Sequence, residues 1–163
     1  MTAESQLIIK EKINASKEAV FLAFSTAKSL KEWWGPVESP IDVLFLNFRP
    51  GGKFHYRMNG LHQSYGVKQY LEIVPNSKIV WLNSFANEKG NPIKAPFEGL
   101  NIPVEIRNSI TLTEENGITT LSLTAEPHNS TEAEIAGFIS IIDGMKQGFG
   151  GTLNQLAAYL QTV

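Results

Sequence analysis

Two asparagines, Asn83 and Asn108, sit where chemistry would be most visible, because each interrupts an apolar strand face. Residues 78–85 alternate with Ile79, Trp81, Asn83 and Phe85 on one side, and the even positions of 104–113 are Val104, Ile106, Asn108, Ile110 and Leu112. A buried amide costs free energy unless it is hydrogen-bonded. Each therefore either orients a polar group of a ligand or bonds to the other amide, to backbone or to water. A register slip of one residue would turn both to the opposite face. Enzymatic chemistry in such a site needs an ionisable group beside the reacting atom. The candidates are Tyr56 on an apolar strand face, Glu72 in mid-strand and His62 near a turn.

Other chemistries are excluded or unsupported. The absence of cysteine removes disulfides, thiol catalysis and thiolate metal sites. His55, His62 and His128 form no metal-binding pair, and alternation puts His55 on the outward face of its strand as a surface residue. No two carboxylates make a convincing acid pair across a cleft. Gly148-Phe149-Gly150-Gly151 lies within a helical pattern with no Lys-Ser/Thr behind it, so it is not a phosphate loop. No nucleophile elbow or His-Glu-x-x-His helix occurs. No catalytic residue, metal site or cofactor is assigned.

The balance of 14 basic against 16 acidic residues gives a net charge of −2, which argues against a nucleic-acid partner. No apolar run reaches the roughly 20 residues of a membrane span, so no membrane partner is expected. The polar start, Met1 to Ser5, shows no leader pattern, and a cytoplasmic location is the expectation. A chain of 163 residues suits one domain, 1–163.

The elements that must position these residues follow from periodicity. Residues 6–13 read as a strand. Ser16 caps a short helix with Ala19, Val20, Ala23 and Phe24 inward, and a second short helix, about 28–34, stops at Gly35-Pro36. From Ile41 the period becomes two, with Ile41, Val43 and Phe45 on one face. Arg49-Pro50-Gly51-Gly52, Asn59-Gly60, Pro75-Asn76 and Asn116-Gly117 mark turns between strands, and 87–103 is a long irregular stretch. Residues 131–161 then read as one helix of about 30 residues, about 45 Å long. Its apolar stripe runs through Ile135, Phe138, Ile139, Ile142, Met145, Phe149, Leu153, Leu156 and Leu160. Gly137, Gly144, Gly148, Gly150 and Gly151 lie within that span, each costing about 1 kcal/mol of helix propensity. Gly144, Gly148 and Gly151 share a side near the stripe, where they either admit a close approach or leave volume open. Strands gathered together with helices at the ends give an α+β fold. The economical arrangement is a curved antiparallel six- or seven-stranded sheet wrapped around a long C-terminal helix, with two short helices after strand 1.

Several stretches carry a resemblance. They are Ala15-Ser16-Lys17-Glu18-Ala19-Val20-Phe21, Trp33-Trp34-Gly35-Pro36, Arg49-Pro50-Gly51-Gly52-Lys53-Phe54, Tyr70-Leu71-Glu72-Ile73-Val74-Pro75, and Gly148-Phe149 followed by Leu153-Asn154-Gln155-Leu156-Ala157-Ala158-Tyr159-Leu160. In this order and spacing the chain resembles the helix-grip (START-like, SRPBCC) superfamily. Within it, the chain looks like the bacterial branch similar to the C-terminal domain of the activator of heat-shock-protein-90 ATPase. The resemblance implies a helix-grip fold and carries over no catalytic residue. The chain departs from the family pattern at Phe149, where tryptophan is usual, at Asn83, where an aromatic is frequent, and in its longer 87–103 stretch.

In such a fold the inward sheet faces and helix stripe enclose a cavity. Alternation assigns its lining to Trp33, Phe54, Tyr56, Met58, Trp81, Asn83, Ile106, Asn108, Leu121 and Leu123, with Phe138, Ile142, Met145 and Phe149 from the helix. Trp33 and Trp34 lie about 100° apart on a helix, so only one of them is expected to be fully inward. A mostly apolar wall with few polar points suits a small apolar or amphipathic ligand, and the same residues could equally fill a core. Three functions follow: a small-molecule binding protein, an enzyme of cyclase, dehydratase or hydrolase type using the same cavity, or a module that contacts a chaperone through the sheet exterior or 87–103. A second copy of the chain is a further partner open to it.

Overall fold

The computed structural model describes residues 5–163. Met1 to Glu4, on which part of the no-leader expectation rests, lie outside the described residues. The order is β1 (Leu7–Ile13), α1 (Lys17–Ser25), α2 (Ala27–Trp33), β2 (Ile41–Leu46), β3 (Lys53–Asn59), β4 (Gln63–Val74), β5 (Lys78–Ala86), β6 (Pro92–Ile93), β7 (Glu105–Glu115), β8 (Ile118–His128), α3 (Glu132–Ser140) and α4 (Ile142–Leu160). The sheet runs β1-β8-β7-β5-β4-β3-β2, with the two-residue β6 paired to the end of β5. Every pairing is antiparallel. This is the α+β helix-grip architecture, with one short strand more than the alternation revealed.

Local chemistry explains the boundaries. The Ser16 hydroxyl accepts from the Ala19 amide at 3.1 Å to start α1, and Thr26 does the same for α2 through Ser29. Thr131 and Glu134 form a reciprocal capping box at α3. Asn116 and Gly117 both take positive φ, as a two-residue hairpin turn requires. At the other hairpin Asn59 pairs with Gln63, so the loop is three residues long rather than a two-residue Asn59-Gly60 turn. The core is Leu7, Val20, Phe24, Leu30, Phe54, Trp81, Ile110, Leu121, Leu123, Phe138 and Leu156, all at most 2% exposed.

Several expectations are corrected. The C-terminal helix is not continuous: Ile141 (φ −112°, ψ 7°) separates α3 from α4. The stretch Ile139-Ser140-Ile141-Ile142 is poor in helix propensity. The Ser140 hydroxyl donates to the Gly137 carbonyl at 2.6 Å, a bond that bends helices, and Asp143 favours a new N-terminus. In β2, a bulge between Val43 and Phe45 moves Phe45 to the register of His55 on the outward face, where it is 54% exposed. The long irregular stretch 87–103 is anchored to α3. Lys94 donates to Asn101 Oδ1, the Ile102 carbonyl and Glu134 of α3. A Cβ on Gly137 would stand 1.8 Å from the Asn101 carbonyl oxygen, so this glycine is what lets the loop dock on α3. His55, expected at the surface, is covered: its ring lies under Gly90 and its Nε2 is 3.1 Å from the Asn87 carbonyl.

Candidate functional site

Strand alternation on β3 and β5 turns Tyr56, Met58, Asn83 and Phe85 toward α4, which supplies Met145, Gly148, Phe149 and Thr152. Trp34, Gly35 and Pro36, from the exit of α2, form the third side, and the cavity measures about 290 Å³. The width is set by hydrogen bonds between the α2 exit and α4. The Thr152 hydroxyl donates to the Gly35 carbonyl at 2.8 Å, and Gln155 Nε2 donates to the Gly35 and Trp33 carbonyls at 2.9 and 3.1 Å. Tyr56 pairs across the strands with Gly66. A Cβ on Gly66 would meet the Tyr56 ring at 2.3 Å, so the phenol lies flat on bare backbone there. Gly148 is exposed, with open space where its Cβ would be, so the cavity reaches solvent beside it.

The polar points on this wall are few. Trp34 Nε1 is buried without a hydrogen-bond partner. Asn83 accepts a long bond, 3.4 Å, from Trp81 Nε1. Burial pushes the Tyr56 phenol up, partly offset by the neighbouring Trp34 and Asn83 side chains. Behind Trp34 lies an unexpected group. Lys68, on β4 between Phe54 of β3 and Asn83 of β5, is 1% exposed. Its Nζ stands 3.4 Å from the Trp34 ring centroid, 4.2 Å from Trp81, 5.5 Å from Phe24 and 5.7 Å from Phe54. Among the described residues no ion pair reaches it. Burial without a counter-ion holds its amine well below the ordinary lysine range.

Of the lining anticipated from alternation, Tyr56, Met58, Asn83, Met145 and Phe149 stand on the cavity wall. Phe54, Trp81, Leu121, Leu123 and Phe138 face the same way but are sealed in the core, and Ile106 and Ile142 pack against that core away from the wall. The reason is that α1 and α4 close directly on β1, β7 and β8, leaving open space only toward β3 and β5. Both tryptophans are buried, against the expectation of one. Trp33 is pinned in the core by its Nε1–H to the Ala23 carbonyl at 2.8 Å, and Trp34 takes the wall position. Asn108 does not reach the wall. Its Nδ2 donates to the Ile106 carbonyl at 3.1 Å and its Oδ1 is buried without a partner. Of the ionisable candidates only Tyr56 lines the cavity. His62 is exposed, and Glu72 is exposed and lies 3.4 Å from Lys78. Sequence reasoning missed Lys68 because lysine in a strand reads as solvent-facing. The signal available was its place in the inward row Gly66, Lys68, Tyr70.

A curved antiparallel sheet closed over a C-terminal helix, with a cavity between them, defines a helix-grip protein. The chain belongs to the family described as "Activator of Hsp90 ATPase homolog 1-like protein", whose model matches residues 14–161. Solved structures share the fold across almost the whole chain. Protein Ms6760 from Mycobacterium smegmatis is 23% identical, with a TM-score of 0.77 over 95% of this chain and 90% of that one. A Staphylococcus epidermidis protein is 24% identical, with a TM-score of 0.79 over 99% and 93%. An Arthrobacter aurescens protein is 22% identical, with a TM-score of 0.80 over 98% and 88%. No curated protein matches significantly. Among the described residues no helix is long and apolar enough to cross a membrane.

Proposed function

We propose that this protein binds one small apolar or amphipathic molecule in the cavity between β3, β5 and α4. The observation that carries the reading is the cavity itself: about 290 Å³, walled mainly by Trp34, Tyr56, Met58, Phe85, Met145 and Phe149. That volume sits at the lower end of small-molecule sites, and its few polar points match their usual make-up. Trp34 Nε1–H would donate to a ligand oxygen, and Asn83 would contribute a second polar contact. Gly148 supports the reading because its missing side chain keeps the mouth open without any tight backbone contact to explain the glycine.

A native mass spectrometry and thermal-shift screen with aromatic alcohols, terpenoids and medium-chain lipids tests it. A one-to-one complex is expected. At a ligand concentration about 100 times Kd, binding adds about 2.7 kcal/mol, or roughly 5–10 °C in Tm for a chain of this size. A screen in which no compound binds, or binds only at several weak sites, would count against the reading.

A further inference from the structure

We propose that Lys68 is a carbonyl-capturing amine served by this cavity, with the Trp34 indole as the movable partition and small apolar aldehydes as the ligand class. The inference rests on the cavity reading and deepens it. Lysine is almost never fully buried without a partner. Here the stem and Nζ lie among Trp34, Trp81, Phe24 and Phe54, with no carboxylate to justify the position. A methionine would fill the same space at lower cost, so packing alone does not account for an amine.

Trp34 connects this amine to the cavity. One indole both covers Nζ and forms part of the wall. Trp33 is held by its hydrogen bond to Ala23, whereas Trp34 Nε1 makes no well-formed hydrogen bond and has the Tyr56 phenol as its polar neighbour. Trp34 also sits at the C-cap of α2, directly before Gly35 at φ +107°. Rotating its side chain would join Lys68 to the cavity, giving up edge-on ring contacts with Trp33, Tyr56 and Trp81 and a weak contact with the Tyr56 hydroxyl. Asn83, the cross-strand partner of Lys68, is already on the wall, and Tyr56 is a diagonal neighbour on the same face.

The titratable groups on this inward face are Tyr56 from β3 and Tyr70 from β4 itself, while α1, the α2 exit and β5 contribute Phe24, Trp34, Trp81 and Asn83 without charge. Burial pushes both phenols up, so they remain protonated at neutral pH. Burial pushes the Lys68 amine down, which frees its lone pair. That pair attacks the aldehyde carbon, a C–N bond forms, and the C=O π pair moves to oxygen. Tyr56 gives its proton to that oxygen and takes one back from nitrogen, leaving a carbinolamine. Loss of the hydroxyl with a proton then yields the imine. Amine plus aldehyde gives imine plus water, with no oxidant or reductant, and Tyr56 is restored.

The experiment incubates the full chain at neutral pH with 3-phenylpropanal and sodium cyanoborohydride, which fixes an imine as a secondary amine. Intact mass and peptide mapping locate the label, and 3-phenylpropanol, which has no carbonyl, is titrated in parallel by thermal shift. The expected result is a single adduct on Lys68, formed several-fold faster than on exposed Lys31 and Lys89, because burial keeps more of the Lys68 amine as free base at neutral pH. The alcohol should suppress it, Trp34→Ala should accelerate it, and the rate at Lys68 should level off at lower pH than at the exposed lysines. Lys68→Met should abolish it. Should that variant fail to fold, the wild-type map decides alone. Labelling confined to exposed lysines while 3-phenylpropanol still binds overturns the role of Lys68 and leaves the cavity reading standing. Failure of both overturns both. An adduct on Lys68 whose rate is unchanged in Trp34→Ala overturns the partition.

Discussion

Replacing Lys68 with methionine should change how stability depends on pH more than it changes stability itself. Methionine keeps the unbranched stem and offers sulfur–ring contacts of about 0.3–1.5 kcal/mol. These stand against cation–ring contacts of about 0.5–2 kcal/mol and a desolvation cost of several kcal/mol for an unpaired buried charge. No ion pair is lost, because none among the described residues involves Lys68. Lys68→Met is therefore expected to be as stable as the wild type, or more so, at pH 6. Burial holds the folded amine below its unfolded value. Between the folded pKa and the unfolded value near 10.4 the unfolded chain binds the extra proton, so wild-type stability rises with pH by about 1.4 kcal/mol per unit. Below the folded pKa the amine is charged in both states and the penalty is constant. The methionine variant lacks this slope. Tyr56 and Tyr70, whose raised values cost stability above about pH 10, are present in both proteins and cancel in the difference. Urea unfolding of both proteins from pH 6 to 10 measures the effect. Curves that stay parallel throughout would falsify the claim that Lys68 is buried with a depressed pKa.

Other substitutions separate cavity from core. Gly148→Leu has room for its Cβ and gains up to about 1 kcal/mol of helix propensity. It should abolish ligand binding in native mass spectrometry while Tm holds or rises, and simple unfolding would mean that the glycine serves packing. Gly137→Ala must displace the Asn101 carbonyl. Its expected cost is about 1–3 kcal/mol in urea unfolding, with faster hydrogen exchange across 87–103. Trp33→Phe removes the bond to the Ala23 carbonyl and should cost about 1–3 kcal/mol with little effect on ligand affinity. Trp34→Phe removes no well-formed hydrogen bond and should weaken ligand binding instead, as paired denaturation and titration experiments would show.

The fold was legible because its signals are local and repeated. Period-two alternation located β3, β5, β7 and β8 and their inward faces, while Ser16, Gly35-Pro36 and Asn116-Gly117 marked the start of α1, the end of α2 and the β7–β8 turn as capping and turn chemistry require. The division of α3 from α4 was not read, although Ser140 and Asp143 carried the information, because the apolar stripe continues across the break. The bulge in β2 escaped for a similar reason: Phe45 continues the alternation in sequence but not in space. The site was legible only as a face. Alternation says which residues point inward, and Tyr56, Met58 and Asn83 stand on the cavity wall. It cannot say where helices close on the sheet, so Leu121, Leu123 and Phe138 were grouped with the cavity although they are sealed. Lys68 was invisible because its environment comes from four side chains on four separate elements.

The most direct measurement is a two-dimensional proton–nitrogen NMR titration of the labelled protein with a compound selected by the binding screen. The indole N–H signals of Trp33, Trp34 and Trp81 and the Asn83 side-chain amide report from known places in the structure. A ligand in the cavity should shift Trp34 and Asn83 strongly and leave Trp33, bonded to Ala23, nearly unmoved. Shifts confined to the outer sheet face or to 87–103, with Trp34 and Asn83 unchanged at saturation, would contradict the proposal that this cavity is the binding site.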